Sequence, residues 1–159
     1  MSGAASLFSM VFLVPALLVA ARGDWLRRDI PNMLNAAIAA MAPVYWWAAG
    51  FSLWPEIAII IGLAFALFCL FAVAFAIGAM GGGDVKMIAA LALWMTPMQL
   101  PMMLIVMAIA GGLLTAVMVV RHRMTKRLGR PEIPYGIAIA IGGLWVIVNQ
   151  ILTNLPQTA

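Results

Sequence analysis

Charge is what this chain has least of. Only 9% of its 159 residues are Asp, Glu, Lys or Arg, too few to coat a soluble domain of this length. Separate soluble domains are therefore excluded. Cysteine and histidine occur once each. A lone Cys69 inside an apolar run leaves no disulfide framework and no cysteine metal site. A lone His122 among basic neighbours reads as a solvated loop residue, and no Ser-His-Asp set or metal-ligand cluster can be assembled around it. Internal repeats and low-complexity linkers are missing too. The first apolar run has no basic residue before it, since the first Arg is Arg22. The N-terminus is therefore expected to be a retained helix and not a cleaved signal.

What remains is apolar. Two thirds of the chain (66%) is hydrophobic, with the polar residues gathered in short clusters between long runs. This predicts an all-α polytopic membrane protein, one domain over 1–159, with six transmembrane helices. The expected spans are Leu7 to Ala21, Met33 to Ala49, Glu56 to Ile77, Val85 to Met95, Met102 to Val120 and Pro134 to Leu152. A dense polar loop from Gly23 to Asn32 joins the first two, with Pro31 placed to open the second helix. Trp46, Trp47 and Trp54 flank the next turn as an interfacial aromatic belt. The fourth segment is the irregular one. It would rise only about 16 Å as a helix, half the hydrocarbon thickness. Either it continues past Pro97 with a kink, or the glycines before it lie below the headgroups.

Six spans place the loops holding Asp24, Asp84 and Lys126 on one side. All nine Lys and Arg residues lie in or beside those loops, and the opposite side carries only Glu56. The asymmetry predicts that the basic side is cytoplasmic and that both termini are on the non-cytoplasmic side.

Gly81-Gly82-Gly83-Asp84-Val85-Lys86 is the costliest stretch. A carboxylate at bilayer depth is penalised by roughly 2.5 to 3.5 kcal/mol, and each glycine forgoes about 1 kcal/mol of helix propensity. An N-cap role would account for Asp84, and a surface ion pair with Arg27 or Arg28 for Asp24. Neither accounts for three glycines, which allow a tight turn and close backbone approach. Topology puts Asp24 and Asp84 at one level on one side. If two such carboxylates meet, double ionisation is resisted: one stays a base that activates water, while the other keeps a proton for a peptide carbonyl.

Asp24 with Ile30-Pro31-Asn32, then Gly81-Gly82-Gly83-Asp84-Val85-Lys86, then Ile133-Pro134-Tyr135-Gly136-Ile137-Ala138 together resemble the type IV prepilin peptidases. These are membrane aspartic proteases with a Gly-x-Gly-Asp motif. The resemblance extends over essentially the whole chain and is closest to the short form associated with tight-adherence (Flp) pili. It implies that Asp24 and Asp84 are the catalytic pair, that Gly81 and Gly83 are the motif glycines, and that Pro31, Asn32 and Lys86 support the motif or the substrate. It implies no cofactor and no metal. The implied substrate is a prepilin with a short cytoplasmic leader, cleaved after Gly, at the cytoplasmic face of the bacterial inner membrane. Larger members carry an extra domain with paired cysteines and also methylate the new N-terminus. This chain has no room for it, so cleavage without methyl transfer is expected.

Other features have more than one reading. Lys86 could steady the Asp84 anion, meet an acidic pilin residue, or snorkel to the interface. Met95, Met98, Met102, Met103 and Met107 fit gap-filling between helices better than a substrate groove. The basic loop from Arg121 to Arg130 sets orientation and binds anionic lipid. Other pilus-assembly proteins are possible partners, and nucleic acid is not expected as one. Two alternatives to a peptidase are a small proton-coupled carrier, which would place its acids near the midplane, and a non-catalytic component of a pilus or secretion assembly.

Overall fold

A computed structural model describes residues 7, 10–125 and 133–154, so Lys126, Arg127 and Arg130 of the basic loop lie outside the described residues. The described chain forms six α-helices. They are α1 (Leu13–Arg27), α2 (Asn32–Ala49), α3 (Ala58–Ala76), α4 (Gly82–Ala92), α5 (Gln99–Met124) and α6 (Tyr135–Asn154). A kinked turn over Leu53–Ile57 leads into α3, where the Glu56 carboxylate accepts from the Ser52 N–H and Oγ–H at 2.8 Å each. Three helical stretches are long and apolar enough to cross a membrane: Leu53–Ala76, Gln99–Met124 and Tyr135–Thr153. On the first two the apolar side chains face outward, with Phe65, Leu70, Val73, Ile105, Ile109 and Leu113 all more than half exposed. A water-facing surface of that kind would aggregate, whereas lipid accepts it.

The shortest helix lies at the centre. Seven residues of α4 are buried, Asp84, Val85, Met87, Ile88, Ala90, Leu91 and Ala92, because α3, α2 and α6 all pack on it. Helix α1 packs on α6, and α6 makes its broadest contact with α5. Glycines permit those approaches: a Cβ on Gly142 would stand 2.8 Å from the Met103 carbonyl of α5, and one on Gly143 would stand 3.1 Å from Leu17 of α1.

Helix α4 does not continue through Pro97. It ends at Ala92, where the turn tightens through Trp94 N–H to Leu91 O and Met95 N–H to Ala92 O. Two indoles then tie the broken end to α2, one of them by bonding a carbonyl that the break leaves over. Trp46 donates to Leu93 O at 2.7 Å, and Trp94 donates to Ile38 O of α2 at 2.9 Å, with Tyr45 stacked on Trp94. Helix α5 starts at Gln99 with Pro101 in its first turn, where a missing N–H costs nothing. It is longer at both ends than its apolar core suggests, taking in Arg121, His122 and Arg123 in its last turn.

Three sequence expectations need correcting. Asp24 was expected in a loop, but α1 runs on through Gly23 and Asp24 and stops only at Arg28, which turns left-handed (φ 56°). Hydropathy marks where a helix leaves the apolar phase, not where it ends. Trp46 is not part of an interfacial belt: it is 9% exposed and committed to Leu93, while Trp47 and Trp54 are 85% and 80% exposed. The gap-filling expected of the five methionines holds for only part of the set. Met95 and Met103 are core, and Met98 and Met102 are exposed.

Candidate active site

The polar side chains buried among the described residues are three: Asp24, Asn35 and Asp84. All belong to one corner of the bundle. Asp24 sits in the last turn of α1 and Asp84 in the first turn of α4, so the fold brings together two helix ends about sixty positions apart. Ile30, in the short link between α1 and α2, is wedged among them. It is 4% exposed, with its Cβ 3.3 Å from where a side chain on Gly83 would begin and its Cδ1 2.8 Å from the equivalent point on Gly136.

The two carboxylates have different surroundings. Asp24 Oδ2 accepts the Gly136 N–H at 2.7 Å, and the Ile137 N–H also acts on it. Asp24 therefore caps the N-terminus of α6, where unpaired amides and the helix dipole favour an anion. Arg28, one turn on, adds a positive charge. Burial pushes the Asp24 carboxyl above its ordinary range, and these three partners pull back. For Asp84 the group that favours the anion is the N–H of Gly81, at the cap position of its own helix. Burial first, and the neighbouring Asp24 charge second, push Asp84 up to about 7 against that single bond. Both residues lie beyond the ends of the apolar runs. The arrangement can hold one carboxylate ionised and one protonated near neutral pH.

The glycines act through space. A Cβ on Gly81 would stand 3.0 Å from Asp84 Oδ2, and one on Gly136 would stand 2.9 Å from Asp24 Oδ2. The Gly83 carbonyl accepts Asn35 Nδ2 at 3.1 Å, tying the glycine turn to α2. Pro31 caps α2, and its carbonyl accepts the N–H groups of Leu34 and Asn35. Asn32 opens α2 and accepts Lys86 Nζ at 2.7 Å. Lys86 thus sends its ammonium to Asn32 and not to Asp84. Of the residues singled out from sequence, Asp24, Asp84, Gly81 and Gly83 converge here, Pro31 positions α2, and Lys86 with Asn32 forms a separate pair at the rim.

Sequence reasoning missed three contributors: Gly136, Ile30 and Asn35. Gly136 stood in the quoted Ile-Pro-Tyr-Gly stretch, where a proline followed by a helix start signals free N–H groups able to receive an anion. Ile30 stood in the quoted Ile-Pro-Asn stretch but has no chemical signal of its own, and Asn35 showed only as an amide inside the expected second span.

These observations define an all-helical membrane protein with a buried carboxylate pair at one end of its bundle. Residues 11–116 match the model of the type IV leader peptidase family, Peptidase_A24, and the chain belongs to that family. It is a peptidase by that membership. The matched region contains Asp24 and Asp84 and ends before Gly136. No curated protein and no solved structure matches the chain.

Proposed function

We propose that the chain is an aspartic endopeptidase that removes the cytoplasmic leader from prepilins, cutting after Gly, with Asp24 and Asp84 as its catalytic pair. The observation that carries this reading is the split environment of two nearly buried carboxylates, one held by two helix-terminal N–H groups and an arginine, the other by one N–H. Asp24 is the base: it takes a proton from water as the water oxygen attacks the scissile carbonyl carbon. Asp84 is the acid and gives its proton to the carbonyl oxygen, forming a gem-diol. When the intermediate collapses, a hydroxyl proton returns to Asp84, the proton on Asp24 passes to the departing amine, and the C–N bond breaks. Water has been added across the peptide, and both carboxyls are restored.

The finer topology belongs to the same proposal. Six membrane crossings put Asp24, Asp84 and the basic clusters at the cytoplasmic face of the bacterial inner membrane, with both termini outside. Function as the short, Flp-associated form without methyl transfer completes it. A carrier reading is disfavoured because the acids occupy helix ends on one side and not mid-helix positions.

Asp24→Asn and Asp84→Asn test it. Each should lower processing of a co-expressed prepilin by at least about a thousandfold, with the chain still inserted in the membrane. Undiminished cleavage in either variant would sink the dyad.

A further inference from the structure

Helices α2 and α3 each pack on α4 more closely than on one another. A groove of about 500 Å³ is left between them, running along α4. Each of the three helices contributes alanine to its lining, Ala36 and Ala39 from α2, Ala64 from α3 and Ala89 from α4, while Phe65 and Phe68 give the α3 wall its bulk. Small residues on three adjacent helices let another backbone come close, which is how helices associate inside lipid. An acyl chain gains nothing from that spacing.

The inner end of the groove is polar. Asn35 lines it and is 5% exposed, yet its Oδ1 has no hydrogen-bond partner. A buried acceptor left unpaired costs about 1–3 kcal/mol, so a donor is called for there. The other half of the same amide holds the carbonyl of Gly83, next to Asp84. Lys86 and Asn32 also line this end. The polar end of the groove therefore abuts the carboxylate corner through Asn35.

We propose that this groove receives the apolar transmembrane helix of the substrate, with Asn35 as a substrate-contacting residue at its inner end. The proposal rests on the peptidase reading and specifies where its substrate lies. An extended segment entering the site has main-chain N–H groups freed from helical bonding, and one of them supplies the donor that Asn35 lacks once the segment opens the end of the groove that covers Oδ1. A lipid tail has no donor to offer. Docked this way, the helix ends beside Gly83, and the bond following the leader arrives at Asp84.

The test uses the full chain carrying Asp84→Asn in proteoliposomes, with a benzophenone amino acid at Ala36 in the groove or at Val117 on the outer face of α5. The probe is a synthetic peptide with a short polar segment ending in Gly followed by about 20 apolar residues. Peptide adducts from position 36 should exceed those from position 117 by about tenfold or more. Equal yields, or adducts to phospholipid alone at position 36, overturn the groove assignment. Cleavage of the same peptide by the Asp84→Asn chain without crosslinker is scored separately. Retained cleavage with a strong position-36 adduct rejects the dyad and leaves the groove standing. Lost cleavage with equal adducts does the reverse.

Discussion

A carboxylic acid titrating near neutrality makes the proposed chemistry sensitive to pH in a definite direction. Asp84 is pushed up to about 7, chiefly by burial and then by Asp24, so its protonated form is favoured in the fold. Its contribution to stability is therefore complete below its ordinary pKa of 3.8 and is lost as pH rises toward about 7. If Asp84 must supply a proton, activity follows the same limb. The profile of kcat/KM in detergent should fall as pH rises through about 7, with an acid limb where Asp24 becomes protonated. A profile flat through neutral pH would remove Asp84 from the acid role. Arg28 enters at the same scale, because its charge helps keep Asp24 ionised although it makes no direct bond to the carboxylate.

At the scale of elements, α6 is the helix on which α1, α4 and α5 are aligned. Its first turn supplies the amide that holds Asp24, and its middle admits α1 and α5 through Gly143 and Gly142. A methyl on Gly142 would meet a backbone oxygen at 2.8 Å, which cannot move as a side-chain end can. Gly142→Ala should therefore destabilise the bundle by about 1–3 kcal/mol through forced separation of α5 and α6, measured as a lower thermal midpoint in detergent. Gly112, on α5, has nothing within 4 Å of the same point. Gly112→Ala should be neutral, or stabilise by about 0.5–1 kcal/mol through helix propensity. Equal effects in the two variants would show that packing at Gly142 is not what holds the helices.

For the whole molecule, the packing and the proposed topology meet in the short α4. A helix of 11 residues rises about 16 Å and is stable in the bundle because three helices cover it, Trp46 satisfies a carbonyl at the broken end, and Trp94 ties that end to α2. The six-crossing reading places the turn at Ser52 and the end of α5 at Arg123 on opposite faces. In a Cys69→Ser background, an impermeant maleimide added to whole cells should label Ser52→Cys. Arg123→Cys should react only after permeabilisation. Labelling of both from outside would require a different number of crossings.

Membrane character, helical class and the two acids were legible from the sequence because they depend on composition and on costs borne locally. An apolar run of helix length has few alternatives, and glycines before an isolated Asp are expensive wherever they fall. The apolar pattern also found most helices, with errors at the ends. It missed the run of α1 through Asp24, since lipid ends at the charges while hydrogen bonding continues to Arg28. Only tertiary structure decided that the Asp24 carboxylate caps α6, that Asn35 grips the Gly83 carbonyl, and that Ile30 fills the space between. The physical reason is that these contacts join residues far apart in sequence, up to 112 positions for Gly136 and Asp24. Their strength depends on burial and donor placement, which exist only once the helices have packed.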